Sequence, residues 1–408
     1  MDKLTIKDID VSGKRVLVRV DFNVPLDEKN GAIMDDSRIR ATLPTIKYLI
    51  YQGARVILCS HLGRPEGKVV DKLRLTVVAQ RLSQILGQQV GVTRDCIGSE
   101  TEKSVASLRS GDVLLLENLR FHSAEEMDSP VFARALARLA DIYVNDAFGT
   151  SHRSHASIFR IAEYLPSVAG LLLEKELETL GALLVNPARP FGGIIGGAKV
   201  SDKVGMLENI MKKVDFLLIG GGMAATFLKA KSYEIGLSLI ESDRLDTATE
   251  LMERAAKNGV HLLLPVDVIV ADKSGVEVKG KVVSVRDIPP DQMIVDIGSQ
   301  TIKNFYEELK RCKTIFWNGP MGIYEIPQFG ESTRAVAKLL ASIEATTIVG
   351  GGSTAEIVTN MGLADKLSFV STGGGATLQF LGGQSLPGVE VLLDKDSLAK
   401  GKLKGLMG

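Results

Sequence analysis

The chain has 408 residues, carries 49 Lys plus Arg against 49 Asp plus Glu, and is 45% hydrophobic and 24% charged. At ~150 residues per domain the length predicts two or three domains, and the near-average composition excludes a disordered or membrane-embedded chain. A net charge of zero excludes the broad basic field that holds nucleic acid or anionic lipid, so an anionic ligand has to be met by local groups.

Taken in chain order, the first residues, MDKLTIKDIDVSGK, contain no apolar core of a leader peptide. No uncharged apolar run reaches the ~18 residues of a spanning helix, so a cytoplasmic protein is expected. Strands are predicted at 15–20 (RVLVRV), 55–59 (RVILC), 113–117 (VLLLE) and 142–145 (IYVN), with helical patterns at 37–52, 76–86 and 131–140 between them. The segment YLPSVAGLLLEKELETLGALL predicts one long helix beginning after Pro166 and joining two domains. Beyond it, strands are predicted at 193–195, 216–219, 266–270, 314–317, 346–349 and 367–370, again with helices between. Alternation of this kind indicates α/β domains built on doubly wound parallel sheets. The predicted boundaries are 1–168 for the first domain, 169–393 for the second with its connecting helix, and 394–408 for a loose Lys- and Gly-rich tail without assigned chemistry.

Ligands of open parallel sheets bind beyond the carboxyl ends of the strands. In the first half those ends carry Asp21-Phe22-Asn23, then Ser60-His61-Leu62-Gly63-Arg64, then Glu117-Asn118-Leu119-Arg120, then Asn145-Asp146 running on to His152-Arg153. Guanidinium forks grip carboxylate and phosphate bidentately, so convergence of these loops would make a site for a small polyanion. In the second half the ends carry Gly196-Gly197-Ala198-Lys199, Gly220-Gly221-Gly222, Asn318-Gly319-Pro320, Gly350-Gly351-Gly352 and Thr372-Gly373-Gly374-Gly375. Glycines there let backbone N–H groups approach a phosphate, which predicts a nucleotide site.

Any one of these glycine clusters read alone is a tight turn, and any one arginine is a solvated side chain. Their segregation, arginine loops in one half and glycine loops in the other, is what favours ligand binding. The three cysteines, Cys59, Cys96 and Cys312, match no zinc spacing and form no disulfide scaffold, and His122, His155 and His261 show no metal-ligand spacing. The stretch GGIIGGAK puts Ala198 where a phosphate-binding loop needs lysine, and no G-x-G-x-x-G follows the first strand, so neither a P-loop nor a nicotinamide fingerprint is present.

In order along nearly the whole chain, RVDFNVP, SHLGRP, ENLRF, NDAFGTSHRSH, GGAKVSDK, GGGMAATF, WNGPMG and STGGGA resemble the motifs of the phosphoglycerate kinase family. The resemblance implies two similarly built domains separated by a cleft that closes, and reversible phosphoryl transfer from 1,3-bisphosphoglycerate to ADP, giving 3-phosphoglycerate and ATP with Mg2+, by a monomer. It implies that Asp21, Phe22, Asn23, Arg38, His61, Leu62, Gly63, Arg64, Arg120 and Arg153 form the glycerate site. Arg38 and Lys199 would neutralise the migrating group, with Gly374 and Gly375 supplying helix N-terminal donors. Gly197, Ala198, Lys203, Gly220, Gly221, Asn318, Pro320, Glu325, Gly351, Gly352, Ser353 and Thr354 would surround the nucleotide, with Lys203 at the phosphates and Glu325 at the ribose. Where the family has Gly-Gly-Gly-Asp near the metal, this chain has Ser353, which either contacts Mg2+ through a neutral hydroxyl or caps the helix that starts there.

Overall fold

A computed structural model describes residues 2–396 except 273, 274, 276 and 277; residues 397–408, most of the expected tail, lie outside the described residues. The chain forms two compact units. One comprises residues 1–178 together with the segment from Ser385 onward, and the other is Thr179–Gln384. The division therefore falls at Glu178/Thr179, inside the helix Leu171–Val185, and not at residue 168. The returning segment is held to the first unit at several points. Gly388 donates its N–H to Ser151 O and accepts from Asn145 Nδ2, while Lys3 Nζ lies 2.8 Å from Asp394 Oδ1.

The first unit carries strands β1 Arg15–Arg19, β2 Arg55–Cys59, β3 Val90–Val92, β4 Val113–Leu115, β5 Ile142–Asn145 and β6 Ser167–Ala169, all parallel and ordered β3-β4-β2-β1-β5-β6. Helices shield both faces of such a sheet, which explains strands that read as continuous apolar runs. Val16, Val18, Val56, Leu58, Val113, Leu115, Ile142 and Val144 meet there in one core. Arg19 interrupts the run of β1 and is nevertheless 1% exposed. β6 takes the residues expected to open the connecting helix, since Ser167–Ala169 pair with Tyr143–Asn145 before the helix starts at Leu171.

The second unit repeats the plan with β7 Phe191–Ile195, β8 Phe216–Ile219, β9 His261–Leu263, β13 Thr314–Asn318, β14 Thr346–Gly350 and β15 Phe369–Val370, parallel in the order β15-β14-β13-β7-β8-β9. The strand expected at 266–270 joins a separate antiparallel sheet, in which β10 Asp267–Ala271 lies between β11 Lys281–Ser284 and β12 Met293–Ile297. The strand order reverses at β1 and β5 in the first sheet and at β7 and β13 in the second, and crevices that take ligands open at such switch points.

Candidate active site

In the first unit the switch-point crevice is built on a buried carboxylate. Asp21 follows β1 at 7% exposure and accepts a hydrogen bond from Arg38 Nη1, with Asn23 N 3.3 Å from its Oδ1. Burial alone would push the Asp21 pKa up, but the charges of Arg38 and Arg19 outweigh it and hold it below the usual value. Arg38 lies in the first turn of the helix Ser37–Tyr51, so backbone geometry fixes the side chain's origin.

His61, 4% exposed, has a pKa driven well below 6.5, first by burial and then by Arg19, Arg120 and Arg38 against the opposing pull of Asp21. Its Nδ1 lies 3.3 Å from Arg19 Nη2. A guanidinium can only donate, so Nδ1 accepts and the ring proton sits on Nε2. Arg19 is in turn held by Ser157 Oγ at 3.0 Å, and Ser157 is bonded through both its N–H and its hydroxyl to the buried carboxyl of Glu125. Burial pushes the Glu125 pKa up.

Arg120 completes the group. It is 6% exposed, donates from Nη1 to Gly63 O at 3.0 Å and pairs through Nε with Glu126 at 3.2 Å. Burial lowers its pKa, and the nearby Arg19 and Arg153 lower it further. Gly63 donates to Asn23 Oδ1 at 2.8 Å, so the loops after β1, β2 and β4 are tied together. Arg64 and Arg153 are exposed, and neither side chain has a hydrogen bond or ion pair among the described residues. Phe22 and Leu62 are core side chains, and their N–H groups are occupied by Ser60 Oγ and Asn118 Oδ1. These contacts hold the two loops in place.

The second unit's loops frame a cavity of about 400 Å³ lined by Gly197, Ala198, Gly221, Pro320, Glu325 and Ser353 among others. That volume suits a small ligand. Part of the glycine content serves packing between loops: a Cβ on Gly221 would fall 2.5 Å from Gly197 N, and one on Gly319 2.4 Å from Gly196 O. Gly352 and Gly374 differ, since a Cβ there would meet no protein atom within 4 Å. Gly351 and Gly374 are the N-cap residues of the helices Gly352–Asn360 and Gly375–Leu381. Gly220 packs instead against the Met321 side chain.

Lys203 is 8% exposed, donates to Asn318 Oδ1, and has its pKa lowered to about 8 by burial. The Nδ2 group of Asn318 is buried and finds no partner among the described residues, although buried amide donors are normally satisfied. Thr354 Oγ1 accepts from Gly319 N at 2.7 Å, so its hydroxyl braces the β13 loop. Lys199 is exposed, and its loop is pinned by Glu241, which accepts from Val200 N and from the N–H and hydroxyl of Ser201.

Ser353 does not cap its helix. The N-cap is Gly351 at φ 98°, without a side-chain bond, and Ser353 lines the cavity together with Tyr324. Two carboxylates line the same cavity, Asp296 and Glu325. Asp296 is already bonded to Ser332 and to Ile297 N, with burial raising its pKa to about 6. Among the described residues the second unit holds no group of three acidic, His or Cys ligands. This donor set fits a Mg2+ that arrives on nucleotide phosphates and keeps its waters.

Sequence reading missed the supporting network of Arg19, Ser157 and Glu125 in the first unit and the Glu241 anchor of the Lys199 loop in the second. Arg19 did leave a trace, as a charged residue at the end of a strand whose middle is apolar.

Two doubly wound sheets, one with an arginine and histidine crevice and the other with a lysine and glycine cavity, define a two-unit α/β protein equipped for anionic ligands on both units. The family model described as "Phosphoglycerate kinase" matches residues 6–384. The chain is 54% identical over 395 residues to a phosphoglycerate kinase of Moorella thermoacetica, covering 97% of this chain and 100% of the relative. It is 52% identical to one of Pelotomaculum thermopropionicum with the same coverage. Among solved structures, phosphoglycerate kinase from Coxiella burnetii matches with TM-score 0.84 at 42% identity, covering 95% of this chain and 98% of that one. The Pyrococcus horikoshii enzyme matches with TM-score 0.83 at 32% identity over the same shares. The chain belongs to the phosphoglycerate kinase family, and is a kinase of glycolysis.

Proposed function

We propose that this chain transfers the acyl phosphoryl group of 1,3-bisphosphoglycerate to Mg-ADP, reversibly, with the glycerate on the first unit and the nucleotide on the second. The observation that carries this reading is the concentration of Arg38, Arg19 and His61 around one buried carboxylate in the first unit, with Arg120 beside His61, while the second offers Lys203 and an Asn318 amide group without a partner among the described residues. In the forward direction a β-phosphate oxygen of ADP forms a bond to phosphorus as the bond from phosphorus to the acyl oxygen breaks. The electron pair stays on the leaving carboxylate and no proton has to move, so no general base is needed. Catalysis then consists of alignment and of positive charge on the equatorial oxygens. Arg38 and the exposed Lys199 supply that charge from different units, which supports a closing motion that brings them to one phosphoryl group and excludes water. Mg2+ bound to the nucleotide phosphates would neutralise charge there, with Ser353 beside it. Gly374 and Gly375 would add backbone donors and Glu325 would hold the ribose.

Both half-sites lie in one chain, which supports a monomer, and three free buried cysteines support a reducing, cytoplasmic setting. The test is an ADP-release assay with ATP, Mg2+ and 3-phosphoglycerate. ADP formation that requires 3-phosphoglycerate supports the proposal. Binding without turnover, or a change in nicotinamide absorbance without coupling enzymes, would replace it with a binding protein or a dehydrogenase.

A further inference from the structure

Beyond the two ligand sites, the loops after β3 and β4 bring together Asp95, Cys96 and His122. One ligand atom from each, a carboxylate oxygen, the thiol sulfur and a ring nitrogen, lie within 4.8 Å of one another. We propose that these three side chains bind a borderline-soft divalent cation of the zinc, cobalt or cadmium kind, separate from any magnesium carried by nucleotide.

The donor set decides the class of cation. An O, N, S trio suits zinc-like ions and is wrong for magnesium, which demands oxygen ligands. Three protein ligands leave a fourth position for water, as in open tetrahedral sites. Access and support are both present. Cys96 is 0% exposed and forms the floor, while Asp95 is exposed and His122 partly so, leaving the solvent side open. The Asp95 carbonyl accepts from the hydroxyls of Thr93 at 2.6 Å and Thr101 at 2.9 Å, and Thr93 Oγ1 accepts from Glu117 N at 3.2 Å. That hydroxyl ties the β3 loop to the β4 loop, so the backbone carrying Asp95 and Cys96 is braced before a cation arrives. The His122 ring also rests against Phe132, centroids 5.3 Å apart.

Metal binding would displace the exposed hydrogen bond of His122 Nε2 with Asp95 Oδ1 at 2.7 Å, a pair so exposed that it contributes little, while Asp95 Oδ1 also accepts from Cys96 N at 2.6 Å. The thiol proton would leave to solvent as the sulfur–metal bond forms. The proposal is independent of the kinase reading, since none of the three residues belongs to the glycerate or nucleotide site.

The experiment is a Co2+ titration of the full-length protein with Mg2+ in excess. One equivalent is expected to give the intense visible bands of a tetrahedral site and a sulfur-to-cobalt charge-transfer band, both lost on adding Zn2+. Cys96→Ser should abolish the charge-transfer band, His122→Gln should weaken binding about tenfold or more, and Cys312→Ser should change neither. Kinase activity measured without added Co2+ or Zn2+ should be the same in His122→Gln as in wild type. Absence of the charge-transfer band in the wild type, or its survival in a folded Cys96→Ser, overturns the site. Should Cys96→Ser not fold, undiminished Co2+ affinity in His122→Gln, a substitution on a partly exposed side chain, overturns it equally.

Discussion

Arg38 donates from Nη1 to Oδ2 of Asp21, a carboxylate buried at the carboxyl end of the first strand. One corner of the guanidinium is therefore fixed while the side chain stays 31% exposed, which leaves donors for a ligand. Arg38→Ala is expected to lower kcat roughly 10²-fold or more and to change KM for 3-phosphoglycerate much less, because the proposed mechanism directs its charge at the migrating group. Steady-state kinetics decide it: a near-normal kcat with a raised KM would move Arg38 from catalysis to binding.

His61 predicts a pH effect of definite sign. Its folded pKa lies well below 6.5, so below that pH the unfolded chain takes up a proton that the folded chain refuses. Stability is therefore present above pH 6.5 and falls as the pH drops. Urea midpoints at pH 7.5 and pH 5.5 should fall more steeply for wild type than for His61→Gln. Identical slopes would mean the folded imidazole titrates normally.

Lys203, with its pKa lowered to about 8 by burial, should lose its charge as the free protein is taken above that pH. Nucleotide phosphates favour the charged form, so ADP binding at pH 9 should take up a proton, and affinity should fall from pH 7 to pH 9. Calorimetry in two buffers of different ionisation enthalpy measures the uptake. Lys203→Met should abolish it; equal uptake in both proteins would assign the proton elsewhere.

At Ser353, which lines the second unit's cavity, a carboxylate would place a hard anionic oxygen beside the nucleotide phosphates of the proposed site. Ser353→Asp is expected to lower the Mg2+ concentration for half-maximal activity and leave KM for 3-phosphoglycerate unchanged. Because Gly351 and not Ser353 occupies the N-cap, a change in helix capping is not a competing explanation. A magnesium curve that does not move would separate Ser353 from the metal.

The elements legible in the sequence are those with long apolar runs. Arg55–Cys59 and Thr76–Leu86 form where predicted, because β-branched strands and an amphipathic helix carry their own period. Val90–Val92, Ser167–Ala169 and His261–Leu263 have three residues each, too few to show a period, and become strands only because a neighbouring strand offers its edge. Arg38, in the first turn of the helix Ser37–Tyr51, and Lys203 were singled out only by the family resemblance, whereas Arg64, Arg120, Arg153 and Lys199 were legible as loop residues after strands. The Arg19, Ser157 and Glu125 network was not, because residues far apart in sequence meet there only after folding. The glycine loops were half legible: sequence showed where they lie, while only the structure separates Gly221 and Gly319, which pack against backbone, from Gly352, which faces open space.

The division of labour between the two units is tested most directly by titrating 3-phosphoglycerate and ADP separately into wild type, Arg120→Ala and Lys203→Ala by calorimetry. Arg120→Ala should weaken 3-phosphoglycerate binding about tenfold or more and leave ADP unchanged, and Lys203→Ala should do the reverse, since each cation lies in one unit's site alone. Equal weakening of both ligands by either folded variant would contradict the assignment of one substrate to each unit.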